Sequence, residues 1–206
     1  MLYYPKFIAE AADSVIGVYD QKSGDSPHGL KQLDDISNWR VPTLHFLAPE
    51  SQVDDIVAVN MPLTVMRRHL AKAIAQLAPS AVRLIPIPCV FAGQPSSDFC
   101  VLWPLHQQAL WDLDNSDWAP LAMPHWPPER PFYLYHMRLL ADVSLAHAVV
   151  ANQHHSSMLV VNDSIKQVID SHCRTVRCEP LEDYQRDIRH KSSWDKVKRS
   201  GGNNPA

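Results

Sequence analysis

Histidine is the residue type that most strongly suggests catalysis or metal binding, because the chain contains eleven of them. His154 and His155 are adjacent, but no cysteine or carboxylate lies at ligand spacing from them. His172 and Cys173 precede Cys178 in a C-x4-C arrangement, yet a structural zinc site needs four ligands and this arrangement has no second half. The sequence therefore predicts no metal site.

The sequence also lacks the motifs that indicate nucleophilic or nucleotide-dependent catalysis. A G-x-S-x-G elbow is absent, and Ser156 and Ser157 have no acid nearby in the sequence to orient them. The six glycines include no G-x-G-x-x-G or G-x-x-x-x-G-K pattern that would cradle a phosphate. The adjacent acids Asp54 and Asp55 suit solvated turn or cap positions. We predict a non-enzymatic protein with no catalytic residues and no cofactor; a small hydrolase assembled from distant residues stays open as an alternative.

One segment has the composition of a binding surface. No lysine or arginine occurs from Leu84 to Glu129, while this stretch contains several acids and four tryptophans. Aromatic anchors among acids suit a basic protein partner, because the rings bury area and the carboxylates steer association. The candidate partner-binding residues are Trp103, Trp111, Asp112, Asp114, Asp117 and Trp118. The alternative is that the tryptophans belong to the core and the acids only solvate loops.

Charge and composition narrow the class of protein. A net charge of -3 and a pI near 6.4 provide no basic patch for DNA or RNA. Residues 1–10 lack the pattern of a signal peptide, and no window approaches the about 18 consecutive apolar residues of a membrane span. The four cysteines have neither C-x-x-C spacing nor the density of a disulfide scaffold. We predict a cytoplasmic protein with reduced thiols, no nucleic-acid or membrane partner and no small-molecule substrate.

Strand and helix signals organise the first half of the chain. Residues 56–59 form a short apolar, β-branched run that is typical of a strand. Asn60 is predicted to cap a helix with Pro62 in its first turn, and apolar residues then recur at helical spacing over residues 63–77. Pro79 ends this helix of about four turns, and residues 81–87 form the next strand.

The same order of signals returns near the C-terminus. A strand at residues 158–161 leads into a polar cap, a helix up to His172 and a strand at residues 175–181. Asn60 aligns with Asn162, and the later strands align as well, if the second helix is shorter by about two turns. The repeated order indicates a diverged duplication.

We therefore predict an α/β (α+β) fold of two similar small lobes, each a strand–helix–strand unit on a mixed sheet. The N-terminal lobe covers residues 1–120 and starts with a strand within residues 1–10. The C-terminal lobe covers residues 132–190 and includes strands at residues 132–140 and 147–150. The proline-rich residues 121–131 form a connector between the lobes, and residues 191–206 form a flexible tail.

Several of these blocks resemble a known family. The segments DDIV (54–57), PLTVMRRHL (62–70) and VRLIPI (82–87) are similar to blocks in the immunity proteins of bacterial polymorphic toxins, specifically the eleventh immunity class, formerly a domain of unknown function. Residues 102–116 and 149–169 resemble the later blocks of that family. The resemblance covers most of the chain from residue 40 to residue 185. Where the family often has Thr-Gly before its last strand, this chain has Thr-Val at residues 175–176.

The resemblance implies an antitoxin that works by binding, with no active site of its own. Its partner would be a cognate toxin encoded by a neighbouring gene, often an effector of a type VI or contact-dependent secretion system. Because an immunity protein must meet its toxin where the damage occurs, a cytoplasmic chain implies a toxin that acts in the cytoplasm, and a nuclease fits that location. The acidic, tryptophan-bearing segment would then occlude a basic cleft. An adaptor unrelated to toxins is the main alternative.

Overall fold

The computed structural model of the protein describes residues 1–8, 15–26, 36–60, 62–119, 133–182 and 184–185. Within these residues the chain has a mixed α+β fold in which strands predominate over two helices. Helices α1 and α2 span Arg68–Leu77 and Asp163–His172, and a 3-10 turn spans Glu50–Gln52. The strands in chain order are β1 (Tyr3–Phe7), β2 (Ile16–Tyr19), β3 (Leu44–Phe46), β4 (Ile56–Val59), β5 (Thr64–Arg67), β6 (Val82–Pro86), β7 (Cys89–Phe91), β8 (Gln94–Ser96), β9 (Phe99–Pro104), β10 (Gln107–Gln108), β11 (Trp111–Ala119), β12 (Tyr133–Leu139), β13 (Val149–Asn152), β14 (His155–Val161), β15 (Val176–Pro180) and β16 (Tyr184–Gln185).

The chain divides into two compact units, which are described separately. Unit 1 comprises residues 1–108, 144–152 and 156–180, and unit 2 comprises residues 109–143, 153–155 and 181–206. Unit 1 contains both helices, an eight-stranded sheet and most of a five-stranded sheet. Unit 2 contains a three-stranded sheet in the order β11-β12-β16.

The eight-stranded sheet of unit 1 curls into a half-barrel in the order β6-β9-β5-β4-β2-β3-β7-β8. One of its faces packs on a core in which Phe46 stacks on Phe91 with ring centroids 4.4 Å apart. Gly17 of β2 lies so close to this stack that a Cβ atom there would come within 2.4 Å of the Phe46 ring. The packing of Phe46 against β2 therefore requires a residue without a side chain at that position.

The five-stranded sheet has the order β10-β13-β14-β1-β15 and shares a second core with both helices. Helices α1 and α2 pack against each other. Leu70 and Ile74 of α1, and Ile165 and Ile169 of α2, are completely buried in this core. Met66 of the eight-stranded sheet belongs to the same core, so the helices are held by both sheets.

Two segments of unit 1 have the same strand order around their helices. In the first segment, defined as β4-β5-α1-β6, strand β9 lies between β5 and β6 and is antiparallel to both. In the second segment, defined as β13-β14-α2-β15, strand β1 lies between β14 and β15 and is likewise antiparallel to both. Each helix therefore connects two parallel strands that are separated by one inserted strand, which is a split strand–helix–strand arrangement.

The start of α1 differs from the sequence prediction. The helix was expected to begin directly after Asn60, with Pro62 in its first turn, but Thr64–Arg67 form strand β5 and the helix begins at Arg68. Val65 and Met66 are both completely buried, Val65 in the core of the half-barrel and Met66 in the core with the helices. Consecutive residues that point into two different cores require extended backbone, so tertiary packing overrides the helical spacing.

The two predicted caps have different outcomes. Asn60 is not a cap, because its N–H donates to the Gly17 carbonyl at 3.0 Å and its Oδ1 accepts from the Tyr19 N–H at 3.1 Å, which extends the β2–β4 pairing. Asn162 is a cap, since its Oδ1 accepts from the Ile165 N–H at 3.1 Å. Both helices have ten residues, so the predicted shortening of the second helix is wrong.

The remaining predicted strands are found near their expected positions. The runs at residues 56–59, 81–87, 132–140, 147–150 and 175–181 correspond to β4, β6, β12, β13 and β15, and β1 lies within residues 1–10. The connector at residues 121–131 and the tail at residues 191–206 lie outside the described residues. The division into two lobes at these boundaries stays a prediction.

Candidate partner-binding surface

The predicted binding segment forms a wide bulge in the three-stranded sheet of unit 2. Asp112 of β11 pairs with Arg138 of β12, and the next pair in register joins Asp117 to His136. Between these two pairs β11 has four residues, whereas β12 has only one. The additional residues of β11 therefore arch out of the ladder. We call residues 112–117 the acidic bulge.

Hydrogen bonds within the acidic bulge hold its shape. The Asp112 carboxylate accepts from the Asn115 N–H at 3.2 Å and from the Asn115 side-chain amide at 2.8 Å. The Asn115 side chain is also the main reason why the pKa of Asp112 is lowered, and the Arg138 charge acts in the same direction. Ser116 connects the bulge to β12, because its hydroxyl donates to the Asp112 carbonyl and accepts from the Arg138 N–H. These hydrogen bonds order the bulge and favour the ionised form of Asp112.

The outer face of the acidic bulge combines charge with an aromatic ring. Asp114 and Asp117 are exposed. Trp118 is half-buried, and its indole N–H donates to the Leu113 carbonyl at 3.1 Å, which fixes the ring beside the bulge. Carboxylates next to a partly exposed indole are the combination expected for contact with a basic protein surface.

Two of the predicted aromatic anchors are core residues. Trp111 is 2% exposed within unit 2, and Trp103 is 3% exposed within the half-barrel core of unit 1. Side chains this deeply buried contact their own core rather than a partner. The candidate surface therefore narrows to Asp112, Asp114, Asp117 and Trp118.

The adjacent acids Asp54 and Asp55 have a structural role that sequence reasoning missed. Asp54 is 8% exposed, which contradicts its predicted place in a solvated turn. Its Oδ2 accepts from the Arg174 N–H at 2.7 Å, and from the N–H and hydroxyl of Thr175 at 2.5 and 2.7 Å. Burial alone would raise the pKa of Asp54, but the hydrogen bonds from Thr175 outweigh it and the pKa is lowered. Asp54 therefore binds the turn between α2 and β15 as a carboxylate.

Asp55 belongs to a charged cluster at the start of α1. The Arg67 Nη1 lies 2.7 Å from Glu50 and 3.2 Å from Asp98, and the Arg67 Nε lies 3.4 Å from Asp55. Burial alone would lower the pKa of Arg67, but the Glu50 and Asp98 carboxylates raise it. His69 Nε2 lies 2.7 Å from the second oxygen of Asp55. The Asp54–Asp55 pair thus connects the end of α2 to the beginning of α1.

An apolar cleft of about 390 Å³ opens in unit 1 between β1, β4 and β14. Tyr4 and Phe7 line one side, Val59 and Thr64 the second, and Met158 the third. None of its described lining residues carries a charged side chain. The cleft can accommodate an apolar group.

The histidine and cysteine candidates have ordinary surroundings. His154 is half-buried, and burial lowers its pKa, which favours the neutral imidazole. All four cysteines are buried free thiols; burial raises the pKa of Cys89, Cys173 and Cys178 to about 12 and that of Cys100 to about 11. Within the described part of the chain, no group of three or more histidines, cysteines and acids is arranged to hold a metal ion.

No protein-family model matches the chain, and a search of curated proteins finds no match. Of the two helices in the described ranges, neither has the length and apolar character to cross a membrane.

Proposed function

We propose that this chain is an immunity protein that binds and inhibits a cognate bacterial toxin by covering the active or substrate-binding surface of that toxin. In this proposal the acidic bulge is the contact surface. The observation that supports it is the displacement of residues 113–116 from an edge strand, beside two exposed carboxylates and a half-buried indole. A bulge at a sheet edge also blocks unwanted strand pairing, so contact there depends on side chains.

The fixed shape of the acidic bulge favours binding by occlusion. The hydrogen bonds of Asp112 to Asn115 and of Trp118 to Leu113 order the segment before any partner arrives. A surface ordered in advance loses less conformational entropy on association. Tight inhibition by a small patch is therefore physically reasonable.

The charge of the segment favours a basic partner. The stretch from Leu84 to Glu129 has no lysine or arginine, and Arg138, which pairs with Asp112 across the strands, acts on that carboxylate by its charge. Toxins that act on nucleic acids carry cations for phosphate contacts, so a nuclease effector of a type VI or contact-dependent system is the proposed partner. Such a toxin acts in the cytoplasm, and we propose the same location for this chain.

The decisive experiment begins with the gene next to the one that encodes this chain. Expression of the neighbouring gene alone should stop growth, and co-expression of this chain should restore it. Titration calorimetry should then compare the wild type with the double variant Asp114→Lys/Asp117→Lys on the purified toxin domain. We expect an affinity loss of about tenfold or more, mostly through slower association, and a weaker dependence on salt.

A matched control separates a surface effect from a general effect of charge. Glu182 is exposed in unit 2 and precedes β16, which β12 separates from β11. Glu182→Lys makes the same change in charge as Asp114→Lys or Asp117→Lys alone, so it is compared with each single variant as well, and it should leave toxin affinity unchanged. Equal losses in Glu182→Lys and the bulge variant, or no loss in the bulge variant, would reject the acidic bulge as the contact surface. Failure of co-expression to restore growth would reject the immunity function itself.

We also propose that the fold contains two similar strand–helix–strand units. Its support is the shared strand order of the first and second segments, each with one strand inserted between the two that flank the helix. Strands β6 and β15 have the related sequences VRLIP and VRCEP. Apart from residues 153–155, both segments lie in unit 1. We therefore propose that the duplication corresponds to the two segments and that it does not correspond to the two units.

A further inference from the structure

Two histidines from different segments of unit 1 lie side by side at the ends of the two helices. His69 is the second residue of α1, and His172 is the last residue of α2. Their ring centroids are 5.6 Å apart and the rings are tilted by 38°. Both side chains are open to solvent, with 52% of the His69 side chain exposed.

Hydrogen bonds fix the protonated nitrogen of each ring. His69 Nε2 lies 2.7 Å from an oxygen of Asp55, and a carboxylate can only accept, so Nε2 carries the hydrogen. His172 Nδ1 lies 2.8 Å from the Val168 carbonyl, which also only accepts, so Nδ1 carries the hydrogen there. In the neutral rings the opposite nitrogens, Nδ1 of His69 and Nε2 of His172, therefore keep their lone pairs. An imidazole that donates to a carboxylate or carbonyl and offers its other nitrogen is the usual form of a metal-binding histidine.

The ring separation matches two imidazoles on one ion. A transition-metal ion binds imidazole nitrogen at about 2.1 Å, which puts the ion about 3.2 Å from the ring centroid. Two such rings on a tetrahedral ion have centroids about 5 to 6 Å apart. The stacked pair of His106 and His147 makes a contrast, since their centroids are 3.5 Å apart and the planes differ by 5°. Parallel rings at that distance cannot direct their lone pairs to a common point.

We propose that His69 and His172 form a two-histidine site for a divalent transition-metal ion of the zinc, nickel or copper type. Water would complete the coordination sphere. Asp55 would orient His69 through its contact with Nε2, which holds the ring in one position. Bound metal connects the first turn of α1 to the last turn of α2, and so fastens the first segment to the second.

Zinc titration of the full-length chain by calorimetry tests the site. The wild type should bind one Zn²⁺ per chain, and the same addition should raise the thermal midpoint because the ion binds only the folded state. His69→Gln and His172→Gln should each abolish the saturable heat, since glutamine retains an N–H donor but offers no imidazole lone pair. Asp55→Asn should weaken binding by about tenfold, because it weakens the orienting contact.

The controls are histidines of unit 1 that the proposal does not use. His45 is exposed on β3, and His106 belongs to the stacked pair. His45→Gln and His106→Gln should bind Zn²⁺ as tightly as the wild type. Absence of stoichiometric binding in the wild type, or its persistence in the double variant His69→Gln/His172→Gln, would overturn the site. Circular dichroism of each variant shows whether lost binding is merely lost folding.

Discussion

The two helices of unit 1 have equal length and pack against each other, but they begin in different ways. Helix α2 is organised locally: Asn162 caps it, Asp163 lies in its first turn, and His172 lies in its last. Helix α1 has no side-chain cap and no acid in its first turn. Its first N–H, from Arg68, instead donates to the Asp98 carbonyl of the β8–β9 loop at 2.7 Å.

This difference shows that one architecture can be stabilised from two sources. The residues at the start of α2 provide its cap. Helix α1 directly follows a strand, and the acceptor for its first N–H is the Asp98 carbonyl in the β8–β9 loop. Most helical stability in proteins comes from packing of the apolar face, and in α1 packing supplies nearly all of it. Substitutions that separate packing from capping therefore test the comparison.

The largest effect should come from the shared core. Ile74→Ala and Ile169→Ala each remove a completely buried side chain, one from each helix. We expect each variant to lose about 3 kcal/mol of unfolding free energy, as measured by urea titration, because a cavity forms where the helices pack. The double variant should deviate from additivity, because the two residues share one core. Exact additivity, or a loss below 1 kcal/mol in either helix, would mean that the helices are stabilised independently.

Substitution of Asp54, in the Asp54–Asp55 pair that connects the two helices, should cause the next largest loss of stability. Asp54→Ala leaves three donors from Arg174 and Thr175 without their carboxylate, so we expect a loss of about 2 to 3 kcal/mol in the same titration at pH 7. Asp54→Asn, which keeps an oxygen acceptor but not the charge, should lose less. An Asp54→Ala variant as stable as the wild type would show that the two segments do not depend on this contact.

The pH dependence of stability provides a second test of Asp54. Hydrogen bonds lower its pKa in the folded state, so its contribution is complete above the value of an unfolded aspartate, about pH 4. The contribution is lost as the pH falls through the lowered folded value. Wild-type stability should therefore decrease more steeply below about pH 4 than that of Asp54→Asn. Parallel curves would contradict this assignment.

The cap of α2 should contribute a smaller amount. Asn162→Ala removes the acceptor for the Ile165 N–H and should cost about 1 kcal/mol in urea unfolding. Ser164→Ala is the matched control, because Ser164 is exposed in the same turn and should change stability very little. Helix α1 has no capping side chain, so no substitution at its start can produce the same loss of stability. Equal losses of stability in the two variants would show that the hydrogen bond from the Ile165 N–H to Asn162 does not stabilise α2.

The smallest effect should come from the ion pair on α2. Lys166 Nζ contacts Asp170 one turn later, and Asp170 also accepts from the Cys178 N–H at 2.9 Å. Asp170→Ala should therefore lower the urea midpoint more than Lys166→Ala, which should scarcely change it. Equal losses in Lys166→Ala and Asp170→Ala would show that the hydrogen bond from the Cys178 N–H adds little to the ion pair.

Local signals explain which parts of the fold could be predicted from the sequence. The β-branched run of β4 and the Asn162 cap of α2 were predicted because short-range chemistry decides them. The start of α1 was predicted wrongly because Leu63, Met66 and Leu70 have helical spacing. In the structure Val65 and Met66 are instead buried in two different cores. Only the presence of a second core distinguishes these possibilities, and one sequence does not reveal it.

The candidate surface was predictable in composition but not in shape. Absence of cations around Asp112, Asp114 and Asp117 is visible in the sequence, whereas the arch of the acidic bulge results from its register with β12. Burial of Trp103 and Trp111 likewise depends on packing. The proximity of His69 to His172 had no sequence signal, because tertiary structure alone brings these distant positions together.

Strand β1 has a consequence for the order of events during synthesis. It lies between β14 and β15, and the hydrogen-bonded side chains of Tyr4 and Glu179 are 175 positions apart. A nascent chain leaving the ribosome must therefore carry β1 without its two partner strands until nearly all the described residues have been translated. Such late closure slows folding and exposes the growing polypeptide to chaperones and aggregation.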